Sequence, residues 1–121
     1  MTRDFEYVFA HGTLRRGFQN HRLLGRSPCL GGARTRERHA LYVGEQPCVV
    51  KGRAVSRISG EVYKVDRATL MVLDALKEHP SVHRREKVPV TLDDGREIEA
   101  WLYFHPEPRG RLVESGDHAG S

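Results

Sequence analysis

The chain has 121 residues, 38% of them hydrophobic and 30% charged, with a formal net charge of +4. That length supports one domain, residues 1–121, with one modest core. No apolar run reaches the roughly 20 residues of a membrane-spanning helix, and no charged-then-apolar leader is visible, so a soluble cytoplasmic protein without a membrane partner is expected.

The first expected strand runs through Tyr7, Val8, Phe9 and Ala10 into His11-Gly12-Thr13-Leu14 and a basic loop, Arg15-Arg16-Gly17. Gly12 permits a tight turn or the close approach of a ligand. The N–H groups of Thr13 and Leu14 behind it suit an anion-binding nest. Asn20 is a candidate cap for a short helical turn at His21–Leu24 that Gly25 would end. Pro28, Gly31 and Gly32 are expected to interrupt the next stretch.

Residues 1–60 carry 11 Lys/Arg against 4 Asp/Glu, whereas residues 61–121 carry 9 against 12. Within the basic half Arg34, Arg36 and Arg38 alternate, which on extended backbone places them on one face. They serve either an anionic partner or a solvated edge that discourages aggregation. No aromatic residues interleave with them, so a nucleic-acid partner is disfavoured.

Strands are expected at residues 40–43, 47–50 and 58–65, the last with Gly60 marking a bulge or a close approach to the backbone. Residues 66–78 read as the main helix, with Asp66 as N-cap, an apolar face from Leu70, Leu73 and Leu76 at three-residue spacing with Val72 four before Leu76, and Pro80 stopping it by His79. In residues 86–92, Val88, Val90 and Leu92 share one face, and Pro89 on the other argues for a sheet edge or bulge. Asp93-Asp94-Gly95 turns the chain into a returning strand, with Ile98, Ala100, Leu102 and Phe104 inward and Trp101 and Tyr103 opposite. Residues 106–121 read as a surface-wrapping tail. About six short strands and one main helix make an α+β fold, a small mixed β-barrel that is closed or partly closed, since closure removes exposed edges.

The seven histidines and two cysteines have no CxxC or HExxH spacing. The one i, i+4 histidine pair, His79 and His83, brackets Pro80, so no metal site is expected. Cys29 and Cys48 are expected as reduced thiols.

The wording of residues 9–24, FAHGTLRRGFQNHRLL, resembles the opening of the gamma-glutamylcyclotransferase-like family. Gly12, Thr13, Leu14, Arg15, Gly17, Asn20, His21 and Leu24 fall in register with its signature, and His11 stands where the family usually has Tyr. The resemblance continues through Gly60-Glu61-Val62-Tyr63, through Leu70, Leu73, Asp74 and Pro80, and through Ala100-Trp101-Leu102-Tyr103. Val82-His83 stands where a pair such as Leu-Tyr occurs, and Arg84 is read as the end of a Tyr-x-Arg element. Residues 112–117 resemble the tail of small bacterial members.

The resemblance implies that a gamma-glutamyl amine or gamma-glutamyl amino acid is the small-molecule substrate. Its α-amine attacks the γ-carbonyl, forming 5-oxoproline and releasing the amine without a cofactor. Such a reaction needs a base, N–H donors for the oxyanion and a substrate held in a cyclising shape. The resemblance places substrate binding at His11, Gly12, Thr13 and Leu14, in a cavity reaching the helix C-terminus. The family's base is a Glu three residues after the Leu-Asp aspartate, and that position is Lys77 here. Three readings stay open. Glu78 swings in as the base; Lys77 binds an anionic group in a catalytically altered member that takes a small acidic ligand; or Lys77 faces solvent and pairs with Asp74. His11 and His83, if both occupy the pocket, replace phenols with imidazoles that can exchange protons or attract an acid.

Overall fold

A computed structural model of the chain describes residues 5–12 and 21–118. The elements are β1 (Phe5–Ala10), a short 3-10 turn (His21–Leu24), β2 (Cys29–Val43), β3 (Pro47–Val50), β4 (Ser56–Asp66), α1 (Arg67–Leu76), β5 (Arg84–Leu92), β6 (Glu97–Phe104) and β7 (Arg111–Leu112). Antiparallel pairings run from β1 to β4, β4 to β2, β2 to β5 and β5 to β6. β6 then returns to β1 through one parallel bridge, Val8 to Trp101. β3 joins β2 to β6. The sheet is therefore a partly closed ring, which leaves few strand edges unpaired. Pro89 lies just outside the β2–β5 ladder, whose pairs begin at Val90, so its missing N–H interrupts nothing there.

The interruption expected at Gly31 and Gly32 is corrected: β2 runs unbroken through both. Gly31, at φ +125, absorbs a register shift in the pairing with β4. A Cβ on Gly32 would collide with the Asp93 carboxylate. Gly60 is the other close approach, because a Cβ there would strike the Ala10 carbonyl and the Phe9 ring. Arg34, Arg36 and Arg38 are exposed on β2.

Strand alternation divides the apolar residues between two layers. Phe9, Leu41, Val49, Ile58, Val62, Val88, Val90, Leu92, Ala100, Leu102 and Phe104 fill the ring interior. Val8, Ala10, Tyr63, Val65 and Tyr103 point outward and are covered by Leu24 and by Leu70 and Leu73 of α1. A ten-residue helix is too short to persist alone. Packing holds it, each buried leucine contributing about 1.5–3 kcal/mol, and Asp66 caps it by accepting from the Thr69 N–H at 2.7 Å. The helix ends at Leu76, two residues earlier than expected, and Leu76 is exposed rather than inward. The cause is geometric: each three-residue step falls about 60° short of a full turn, so Leu76 drifts off the face that Leu70 begins.

The tail is partly sewn to the ring. β7 pairs with β2, the Val113 N–H donates to the Leu41 carbonyl at 2.8 Å, and the Ser59 N–H donates to the Gly116 carbonyl at 2.8 Å. No helix of the described residues is long and apolar enough to cross a membrane.

Candidate active site

The end of α1 sets the site. Lys77 is the C-cap. Glu78 follows at φ +51, the His79 N–H donates to the Asp74 carbonyl at 2.9 Å, and the Glu78 N–H donates to the Ala75 carbonyl at 3.2 Å. This is a Schellman closure with Glu78 in the left-handed position that glycine usually takes. It leaves Glu78 exposed and Lys77 half-buried.

A cavity of about 440 Å³ opens beside this helix end, lined by Gln46, Pro47, Cys48, His83, His105 and Arg109 among others. Its wall reaches the end of β1, because a Cβ on Gly12 would lie 2.5 Å from the Pro47 ring. His11 and Gly12 are buried there. Thr13 and Leu14, and with them the expected N–H nest and the Asn20 cap, lie outside the described residues.

His83 Nδ1 lies 2.9 Å from the Lys77 carbonyl oxygen, and the His83 ring stands edge-on to His105 at 5.0 Å between centroids. Burial and the Lys77 ammonium hold the His83 imidazole below its ordinary pKa of 6.5; the hydrogen bond to Lys77 opposes this, and His105 adds to it. Burial likewise lowers the Lys77 ammonium, with the Cys48 thiol pulling the other way. Burial pushes the Cys48 thiol up, opposed by a backbone hydrogen bond from Arg109. The site is therefore short of negative charge and biased toward neutral forms.

Asp74 is not Lys77's partner, so the third of the open readings does not hold. Its carboxylate accepts from Arg85 Nε at 2.8 Å and from the Tyr103 hydroxyl at 2.7 Å. No ion pair joins Lys77 to a carboxylate among the described residues. The arginine that reaches Asp74 is Arg85, two residues after His83, and not the exposed Arg84. Arg85 also stacks over Trp101, 4.2 Å from the ring centroid.

Of the residues singled out in the sequence, His83 lines the cavity, Lys77 meets it through the contact of its carbonyl with His83, Gly12 lies behind Pro47 of its wall, and Glu78 does not line it. Cys48, His105 and Arg109 are additions that sequence reasoning missed. They come from β3, the end of β6 and the tail, and no spacing connects them. No group of three or more metal-ligating side chains forms among the described residues.

The profile of the family described as gamma-glutamyl cyclotransferase, AIG2-like, matches residues 8–119. A Methanocaldococcus jannaschii protein named "Putative gamma-glutamylcyclotransferase MJ1514" is 53% identical over 114 residues, 93% of this chain and 95% of its own. The gamma-glutamylaminecyclotransferase of Bos taurus is 34% identical over 107 residues, 79% of this chain and 63% of its own. The crystal structure of an AIG2-like protein from Mus musculus superposes with a TM-score of 0.77 at 25% identity, over 84% of this chain and 78% of that one.

Proposed function

Because the chain belongs to the gamma-glutamyl cyclotransferase, AIG2-like family, we propose that it cyclises a gamma-glutamyl amine or gamma-glutamyl amino acid to 5-oxoproline and releases the amine. The observation that supports this reading is a cavity lined by His83 and Pro47, with Gly12 at the end of β1 behind Pro47 and the helix end at Lys77 against His83. Its volume, about 440 Å³, suits a small-molecule substrate.

The reaction makes one C–N bond and breaks another. The deprotonated α-amine attacks the γ-carbonyl carbon, negative charge develops on the γ-oxygen, and the tetrahedral centre collapses with loss of the leaving amine, which takes up a proton. No water, metal or redox cofactor enters the balance. In this reading Lys77 offsets the developing oxyanion, a kind of contribution worth about 3–4 kcal/mol per donor in enclosed sites. His11 and Gly12 at the end of β1 hold the γ-glutamyl group in this reading, and the cavity walls keep the substrate folded on itself, which converts the attack into an intramolecular step. The reading implies a cytoplasm, with Cys29 and Cys48 as free thiols.

The test is release of 5-oxoproline from a panel of gamma-glutamyl alkylamides and gamma-glutamyl dipeptides. Release from any member that is reduced in Lys77→Met supports the reading; no release across the panel overturns it.

A further inference from the structure

We propose that His83 is the general base of this site, with its Nδ1–H anchored on the Lys77 carbonyl and Nε2 accepting the substrate proton. The inference rests on the cyclotransferase reading and adds the proton acceptor that reading lacks.

The carboxylates are otherwise placed. Asp74 is taken by Arg85 and Tyr103. Glu78 is exposed beyond the helix cap, and Glu45 stands at the exposed rim of the cavity. The residue at the position implied for the family's base is Lys77, which is not a carboxylate. His83, by contrast, lines the cavity. A carbonyl oxygen can only accept, so the 2.9 Å contact with Lys77 makes Nδ1 the donor and leaves the lone pair of the neutral ring on Nε2. The groups facing the ring are the Lys77 ammonium from the end of α1, His105 from the end of β6, Cys48 from β3, and Glu45 and Arg109 at the rim. Burial, Lys77 and His105 all oppose a permanent imidazolium, which favours the neutral ring that can accept a proton.

The proton account closes. Nε2 takes a proton from the α-ammonium, and the freed amine attacks the γ-carbonyl carbon. The transient imidazolium keeps its Nδ1–H on the Lys77 carbonyl. As the γ-carbon to nitrogen bond breaks, Nε2 returns the proton to the leaving nitrogen, and the second proton that the attacking nitrogen sheds to become the lactam N–H passes to the released amine, which departs as its ammonium. The neighbouring Lys77 charge favours that return by repelling the imidazolium.

The test compares wild type with His83→Asn, Glu78→Gln and Glu45→Gln for 5-oxoproline release. The asparagine amide preserves a donor toward the Lys77 carbonyl while removing the base. His83→Asn is expected to lose about 10²- to 10⁴-fold in kcat with little change in KM, and added imidazole is expected to restore part of it. Full turnover in His83→Asn overturns the assignment and leaves the cyclotransferase reading standing; loss confined to Glu78→Gln or Glu45→Gln moves the base to that carboxylate. No release by wild type on any substrate overturns the function and the base together. Imidazole nitrogen NMR of wild type supplies a readout independent of turnover. The Nδ1–H tautomer, with an Nε2 signal that shifts on adding gamma-glutamyl butylamide, is expected, and an Nε2–H tautomer overturns the proposal.

Discussion

Asp74 and Arg85 meet at 2.8 Å between the last turn of α1 and the first residues of β5. The Tyr103 hydroxyl completes the contact from β6. One carboxylate thus ties the helix that carries Lys77 to the strand that follows His83. Both partners of the ion pair are about four-fifths buried, so solvent screens the pair far less than a surface bridge.

Asp74→Asn is expected to destabilise the fold by about 1–3 kcal/mol. Burial alone raises the Asp74 carboxyl, but the hydrogen bonds from Arg85 and Tyr103 outweigh it and hold it below 3.8. The native state therefore binds fewer protons than the unfolded chain near that value. The contribution is present above pH 3.8 and is lost as the pH falls through the lower native value. Urea midpoints taken from pH 7 to pH 2 are expected to fall more shallowly in Asp74→Asn than in wild type.

Lys77→Met is expected to be more stable and less active. Burial holds the half-buried Lys77 ammonium below its ordinary 10.5, so the native chain holds its proton less readily than the unfolded chain. That burden acts at neutral pH and lifts as the pH rises through the native value toward 10.5. Removing it raises stability by about 1 kcal/mol, measured by urea titration at pH 7, while 5-oxoproline release falls. Loss of both stability and turnover would instead make Lys77 a structural cation.

The acid limb of kcat/KM is expected to have its midpoint below pH 6.5, because burial and then Lys77 lower the His83 imidazole. Lys77→Gln removes the second cause and leaves the first. The His83 titration followed by NMR is therefore expected to move upward in that variant, and an unchanged midpoint would deny the coupling between the two side chains.

Glu78→Gly is expected to stabilise the protein by up to about 1 kcal/mol, since only glycine takes the left-handed cap without a Cβ penalty. Glu78→Ala retains the Cβ and is expected to gain nothing. Thermal melts of the two variants separate this backbone effect from loss of the carboxylate, which is common to both.

The amino-acid pattern by itself determined much of the scaffold. Alternation in Val88, Val90 and Leu92, and in Ala100, Leu102 and Phe104, specified which faces point inward, because a strand has a fixed two-residue period. Asp66 and Pro80 bracketed the helix through local cap and breaker chemistry, and the Gly12 turn and the Leu73-Asp74 wording carried the family. Short-range rules failed where long-range contact decides. Gly31 and Gly32 looked like breaks because nothing local announces the Asp93 carboxylate that fills the space beside Gly32. Arg84 and Arg85 are equivalent in composition, and only the β5–β6 register with the α1 seam selects Arg85 as the partner of Asp74. The candidate site is divided the same way. Lys77 and His83 were legible as departures from a motif, whereas Cys48, His105 and Arg109 belong to it only because ring closure brings three separate segments to one cavity. The hydrogen bond that gives His83 a defined tautomer is likewise tertiary, since it requires the chain to turn back beneath the helix end and set the ring against a carbonyl left open where the helix stops.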